Sequence, residues 1–199
     1  MTGRAALRLI GIGIEFMLKE NIQKHLACFN KLAGLSEPIE HVAEQLTACV
    51  RDGAKIMICG NGGSAADSQH FATELVGRFL RERRSLPAIA LTTDSSILTA
   101  VANDYGYEDV FSRQINALGQ SGDCLIALST SGSSPNVLRA VKTASSLQIA
   151  TIGLTGADGG ALAAVADTTI KAPARTSPRI QEIHIFILHY WAQSIEAAL

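Results

Sequence analysis

Charge is scarce in this chain. Asp, Glu, Lys and Arg make up 18% of its 199 residues and almost cancel, leaving a formal net charge of -1. A surface so balanced does not build the broad basic face that nucleic acid requires, and no nucleic-acid partner is expected. Long apolar runs are missing too, so no membrane association is expected. The nearest is 7–18 (LRLIGIGIEFML), which is short, contains Glu15 and has no small-residue cleavage site after it. It reads as a helix start or an irregular lead-in, not as a signal peptide. The four cysteines, Cys28, Cys49, Cys59 and Cys124, include no CxxC pair. Cys59 and Cys124 lie in apolar runs that read as buried strands. Reduced thiols in a cytoplasmic protein are therefore expected, with neither disulfides nor a cysteine metal cluster.

What is present is apolar: 47% of the chain is hydrophobic, which excludes disorder and suffices for one α/β core. From 14 to 52 the apolar residues recur at the helical period, as in Phe16, Ile22, Leu26 and Phe29 and again in Ile39, Val42, Leu46 and Val50. Ser36 and Pro38 mark a break between two helices, with Ser36 as the expected cap. Beyond 52 the pattern alternates. Short apolar runs at 55–59, 87–91, 124–128, 149–154 and 168–171 read as strands. The stretches 64–79, 110–118, 135–147 and 180–198 read as helices. Strand–helix alternation with wholly apolar strands predicts a five-stranded parallel sheet flanked by helices on both faces. One domain, 1–199, is expected, with N-terminal helices over 1–52 and the parallel-sheet core over 53–199.

The polar, Gly-rich segments fall at the carboxyl ends of these strands, where open parallel sheets bind ligands. Gly60-Asn61-Gly62-Gly63-Ser64 follows a strand and opens a helix that Ser64 can cap. It suits an anion or a polyol, or it is a plain tight turn. It lacks the spacing of a nucleotide-binding loop. The segment 129–134 holds five hydroxyls in six residues ahead of Pro135. Hydroxyls beside free helix N–H groups form a neutral cradle for a phosphate, or a solvated Ser-rich loop. No G-x-S-x-G elbow marks a nucleophilic serine. His70 and Glu74 stand four apart on one helix face, a spacing that suits a divalent metal, an acid–base pair or a surface hydrogen bond. Arg78, four further on, extends that face, either to meet an anion or as a plain exposed arginine. His184 and His189 fall in a very apolar last helix, where a buried histidine needs a partner. Asp94, Asn103 and Asp104 either bind sugar hydroxyls or terminate helices. His25 and His41 receive no role.

In this order, the segments GNGGSAADSQHFATEL, PAIALTTD, ANDYG, LSTSGSSPNV, LTGADGG and RIQEIHIFILH resemble the sugar-isomerase (SIS) fold sedoheptulose 7-phosphate (phosphoheptose) isomerases. The resemblance runs from about residue 50 to the C-terminus. It implies a SIS-type three-layer sandwich and one Zn2+ per site, held by His70, Glu74, Gln181 and His189. It implies phosphate binding by Ser129, Thr130, Ser131 and Ser134. Asn61, Gly62, Gly63, Asn103 and Asp104 would contact the sugar, with Glu74, Arg78 and Gln181 also facing substrate. It further implies a homotetramer with active sites between subunits. Some members carry an Asp before RIQE; here the place is Pro178, so no role of that Asp carries over. Gln181 and His189 are eight residues apart, about 12 Å along a regular helix, whereas ligand atoms lie about 2 Å from one zinc. Either Gln181 precedes the regular helix, or the ligands come from different subunits.

The reaction so implied converts sedoheptulose 7-phosphate into D-glycero-D-manno-heptose 7-phosphate, a precursor of lipopolysaccharide and related surface glycans. It proceeds through an enediol, with Glu74 as base, His189 as acid and zinc polarising an oxygen. Two other readings belong to the same fold. One is a protein that binds the replication initiator, whose group lacks the Glu and the last His present here. The other is a phosphosugar-sensing module, normally joined to a DNA-binding domain.

Overall fold

Strands that carry apolar residues on both faces cannot leave either face in water. The computed structural model describes the backbone of residues 3–199 and the side chains from residue 16 onward. In it β1 (Ile56–Gly60), β2 (Ala88–Ala90), β3 (Cys124–Ser129), β4 (Ala150–Thr155) and β5 (Thr168–Lys171) form one parallel sheet, ordered β2-β1-β3-β4-β5. All five expected strands form, with ends shifted by a residue or so. β1 and β3 are buried at every position. The edge strands are not, for β2 exposes Ile89 and β5 exposes Lys171. Burial on both faces thus describes the centre of the sheet and not its rims.

The two-residue period of a strand sorts the core. Ile56, Ile58, Ile126, Leu128, Ile152 and Leu154 face α2 (Ser36–Arg51), α3 (Gly63–Val76) and α8 (Ser177–Ala198). Met57, Cys59, Leu125 and Ala127 face α5 (Ser112–Leu118), α6 (Pro135–Ser146) and α7 (Leu162–Val165). This is the expected three-layer sandwich. α1 (Gly3–Leu32) packs on α8, and a single 3-10 turn separates it from α2. Trp191 of α8 is wholly buried and donates from Nε1 to Ile39 O at 2.9 Å, tying α8 to α2. Truncating such a side chain costs about 3–5 kcal/mol.

Several local expectations are corrected. Ser36 does not cap α2; it already has helical angles, and Leu35 precedes the helix without a side-chain cap. The fifth helix starts at Ser112, not at 110. The apolar run at 97–102 is itself a helix, α4 (Ser95–Asp104), capped by Asp94 Oδ1, which accepts from Ile97 N at 2.9 Å. The run at 7–18 lies inside α1, and its side chains before residue 16 fall outside the described residues. No helix among the described residues is long and apolar enough to cross a membrane. All four cysteines are free thiols, and burial pushes the Cys59 thiol up to about 12.

Candidate functional site

β1 connects onward to β2 on one side, while β3 lies on its other side. The strand order reverses there, and the crevice at such a switch point is where open α/β sheets hold ligands. Gly60 of β1 pairs with Leu128 of β3, so the loops after both strands leave the sheet at one level. The first loop turns through Gly62, whose φ of 56° lies in the region that favours glycine. Gly62 is the residue before α3, so Ser64 is not its cap; Ser64 sits inside the helix and is buried. Its N–H instead closes the turn on Asn61 O at 3.0 Å.

The second loop curls its hydroxyls together. Ser129 Oγ lies 3.0 Å from Ser134 Oγ and 3.5 Å from Ser131 Oγ, and Thr130 Oγ1 lies 3.3 Å from Ser177 Oγ at the start of α8. Ser134 therefore bonds across the loop and leaves α6 without a side-chain cap; Pro135 begins that helix as expected. A third loop braces the second. Gly156 N donates to Thr130 O at 3.1 Å, and Leu162 N donates to Gly132 O at 2.8 Å. Gly132 has a φ of 64°, and a Cβ there would run into the carbonyl of Gly159.

α3 and α8 lie alongside each other, and their side chains meet at two levels. At the lower level Gln181 presses its carboxamide against Gly63, where a Cβ would come within 2.5 Å of Nε2. Two turns on, His70 Nε2 lies 2.8 Å from His189 Nε2 and 3.2 Å from Glu74 Oε1. One ligand atom from each of His70, Glu74 and His189 falls within 4.8 Å of the others. Two imidazole nitrogens and a carboxylate oxygen converging so closely suit one divalent cation with coordination positions left open. The structure thus brings together three of the four expected ligands. Gln181 lies within α8 and not ahead of it, about 12 Å from His189 along the helix. That removes the first of the two explanations for its spacing.

Arg78, Asn103 and Asp104 make only local contacts among the described residues. α3 ends at Val76, so Arg78 does not extend the His70–Glu74 face; it is exposed, 3.9 Å from Glu82. Asn103 and Asp104 end α4, exposed, and Asn103 Nδ2 donates to Asp104 Oδ1 at 2.8 Å. His184 is a core histidine satisfied on one side only. Its Nε2 donates to Thr155 O at 3.1 Å, while Nδ1 has no partner among the described residues. Burial holds its imidazole down at about 4, against the smaller upward pull of that bond, so it is neutral at pH 7.

Some contributors were not foreseen. Asp67, one turn before His70 on the same face, has an Oδ2 without a hydrogen-bond partner among the described residues. Burial lifts its carboxyl to about 6, opposed by His70. The three-residue spacing was readable, but the burial was not. His25 receives a partner after all: its Nδ1 lies 2.8 Å from Glu182 Oε2, beside Gln181. Arg179 pairs with the same carboxylate and donates to Asn21 O at 3.0 Å, fastening α1 to the start of α8. Asn136 and Tyr107 join Asn61 in a hydrogen-bonded group whose members no sequence spacing connects.

The SIS domain family model matches residues 21–156. A phosphoheptose isomerase of Trichlorobacter lovleyi is 49% identical over 187 residues, covering 94% of this chain and 95% of its own. That of Rhodospirillum rubrum is 51% identical over 172 residues, covering 86% and 92%. The structure of phosphoheptose isomerase from Neisseria gonorrhoeae superposes with a TM-score of 0.88 at 41% identity, covering 92% of this chain and 99% of that one.

Proposed function

This chain belongs to the SIS-domain family and, within it, to the phosphoheptose isomerases, and on that footing we propose how its residues isomerise a phosphosugar. It is an enzyme that converts sedoheptulose 7-phosphate into D-glycero-D-manno-heptose 7-phosphate. The observation that carries the assignment of residues is the convergence of His70, Glu74 and His189 on the seam between α8 and α3, the helix that leaves the glycine loop.

Ser129, Thr130, Ser131 and Ser134 hold the phosphate without a lysine, through hydroxyls and the uncapped N-terminus of α6. Anchoring that end lets remote binding energy orient the reacting carbons. Asn61, Gly62 and Gly63 contact the sugar, together with Asn103 and Asp104. Glu74 removes the proton from the carbon next to the carbonyl, and His189 supplies a proton to the oxygen, giving the enediol and then the isomer. His70, Glu74 and His189 would hold a Zn2+, which would supply Lewis-acid polarisation of a substrate oxygen. Gln181 lies two turns from that set within its own chain, so a neighbouring subunit's Gln181 would have to complete it. Such sharing fits a homotetramer with sites between protomers. Exposed Phe16, Ile22 and Leu26 on α1 are apolar surface of the kind an assembly covers. A cytoplasmic location suits the free thiols.

The deciding experiment is a coupled assay for aldose phosphate formed from sedoheptulose 7-phosphate, with added zinc and after chelation. Turnover that disappears on chelation and returns with zinc supports the whole reading. Turnover indifferent to chelation removes the metal from it, and a folded, zinc-loaded chain without turnover removes the isomerase.

A further inference from the structure

Asn61 is the first residue beyond β1, and Asn136 is the second residue of α6, 75 positions later. The switch point sets their carboxamides face to face. Asn61 Nδ2 donates to Asn136 Oδ1 at 2.9 Å, and Asn136 Nδ2 donates to Asn61 Oδ1 at 2.8 Å. Taken alone, such a pair is equally satisfied with both amides turned over, because each offers one donor side and one acceptor side. The backbone removes that freedom. Val137 N–H donates to Asn136 Oδ1 at 3.0 Å, and an N–H cannot face an amide nitrogen. The oxygen of Asn136 is therefore fixed, and Asn61 must meet it nitrogen to oxygen. Asn136 is 2% exposed, so water has little access to its side of these bonds.

Tyr107 completes the constraint. Its hydroxyl donates to Asn61 Oδ1 at 3.2 Å, so that oxygen already accepts two hydrogen bonds. An amide oxygen has two lone pairs, and an amide nitrogen has two hydrogens. Among the described residues, the Asn61 side chain thus keeps one unused polar capacity, the second N–H of Nδ2. Asn61, Tyr107, Ser134 and Asn136 line one open cleft of about 380 Å³, which also borders the hydroxyl loop through Ser134.

We propose that Asn136 and Tyr107 are positioning residues that commit Asn61 to act toward the phosphosugar as a hydrogen-bond donor only. The site then selects an acceptor oxygen at that point of the substrate. A group able only to donate would meet no partner there, the situation in which buried polar recognition discriminates most sharply. The inference rests on the placement of Asn61 against substrate given above.

The test is a double-mutant cycle on kcat/KM with sedoheptulose 7-phosphate, using the full chain. Asn61→Ala should lower kcat/KM by about tenfold or more, and Asn136→Leu by a similar factor, through lost orientation of Asn61. Asn61→Ala/Asn136→Leu should be no worse than Asn61→Ala to within about twofold, because Asn136 acts only through Asn61. Tyr107 is exposed, so Tyr107→Phe preserves the fold; it should cost about two- to threefold alone and nothing when Asn61 is already alanine. A purely structural bridge predicts that the losses multiply in the double variant. That result would overturn the proposal, as would an Asn136→Leu enzyme with unchanged kcat/KM. Should Asn136→Leu fail to fold, the Tyr107→Phe pair of measurements decides on the same criterion. An Asn61→Ala enzyme with full activity removes Asn61 from the substrate and this proposal with it. Absent turnover in the unsubstituted chain would instead refute the isomerase assignment.

Discussion

The Nε2 atoms of His70 and His189 lie 2.8 Å apart across the seam between α3 and α8, although 119 positions separate them in the chain. In a metal-free pair one nitrogen must donate and the other accept. With Glu74 Oε1 at 3.2 Å from His70, the same atoms form a ligand set. His70→Ala and His189→Ala should each weaken zinc binding by more than the roughly 10–100-fold that loss of a supporting residue costs. Competition against a chromogenic chelator measures this. Parent affinity in both variants would place the metal elsewhere.

Glu74→Gln keeps the size of the side chain and removes its basicity. Turnover should fall by about 10²–10⁴-fold, the usual contribution of a positioned base, while circular dichroism and the melting temperature stay close to those of the parent. Substantial residual activity would reject Glu74 as the base.

The hydroxyl loop should act on binding. Ser129→Ala and Ser134→Ala each remove one partner of the 3.0 Å contact between them. Each should raise KM by about five- to tenfold, with a parallel loss of inhibition by inorganic phosphate. Gly132→Ala should be worse than either, because its Cβ collides with Gly159 and its φ of 64° is strained for alanine. Unchanged phosphate inhibition in all three would show that the phosphate binds elsewhere.

Glu196 anchors the segment after α3. Its carboxylate accepts from Phe79 N, Leu80 N and Arg81 N at 3.1, 2.8 and 2.9 Å and pairs with Arg83 at 3.4 Å. Burial opposes its charge, but the N–H donors and the Arg83 guanidinium prevail and hold the carboxyl below its ordinary range. A depressed carboxylate stabilises the fold above its unfolded pKa and loses that contribution as pH falls through the folded value. Glu196→Gln should cost roughly 1–3 kcal/mol at pH 7, and the difference should shrink in acid. Denaturant melts across a pH series test it; a constant difference down to strongly acid pH would contradict the account.

His184 carries the other acid sensitivity. Its folded value of about 4 lies below the ordinary 6.5, so the unfolded chain binds a proton that the native core refuses. Stability from this source is intact above about pH 6.5 and falls by roughly 3 kcal/mol as the pH approaches 4. His184→Leu lacks the group and should lose less stability between pH 7 and 5 than the parent, even if it is less stable at pH 7. An equal loss in both proteins would exclude His184 as the source.

Short apolar runs bounded by glycine and serine settle the sheet and its helices locally, since such runs favour burial and such loops favour turns. The same logic made the glycine and hydroxyl loops readable, and the i,i+4 spacing put His70 and Glu74 on one face. It failed where local preference competes with position. Ser36 and Ser64 have the chemistry of caps, yet each already lies in its helix, because the chain enters α2 straight from a 3-10 turn and α3 from Gly62 at positive φ. Arg78 continued a helical spacing that Gly77 and the Glu196 anchor bring to an end.

By itself, then, the sequence determined the layers of this protein and the residue types at its loops, since burial and turn chemistry depend on near neighbours. Only the tertiary structure decided which distant residues meet. The order β2-β1-β3 set Asn61 against Asn136, and the seam of α3 with α8 joined His189 to His70 while leaving Gln181 on Gly63. Those meetings depend on how whole elements pack, over separations at which no local spacing in the chain carries information.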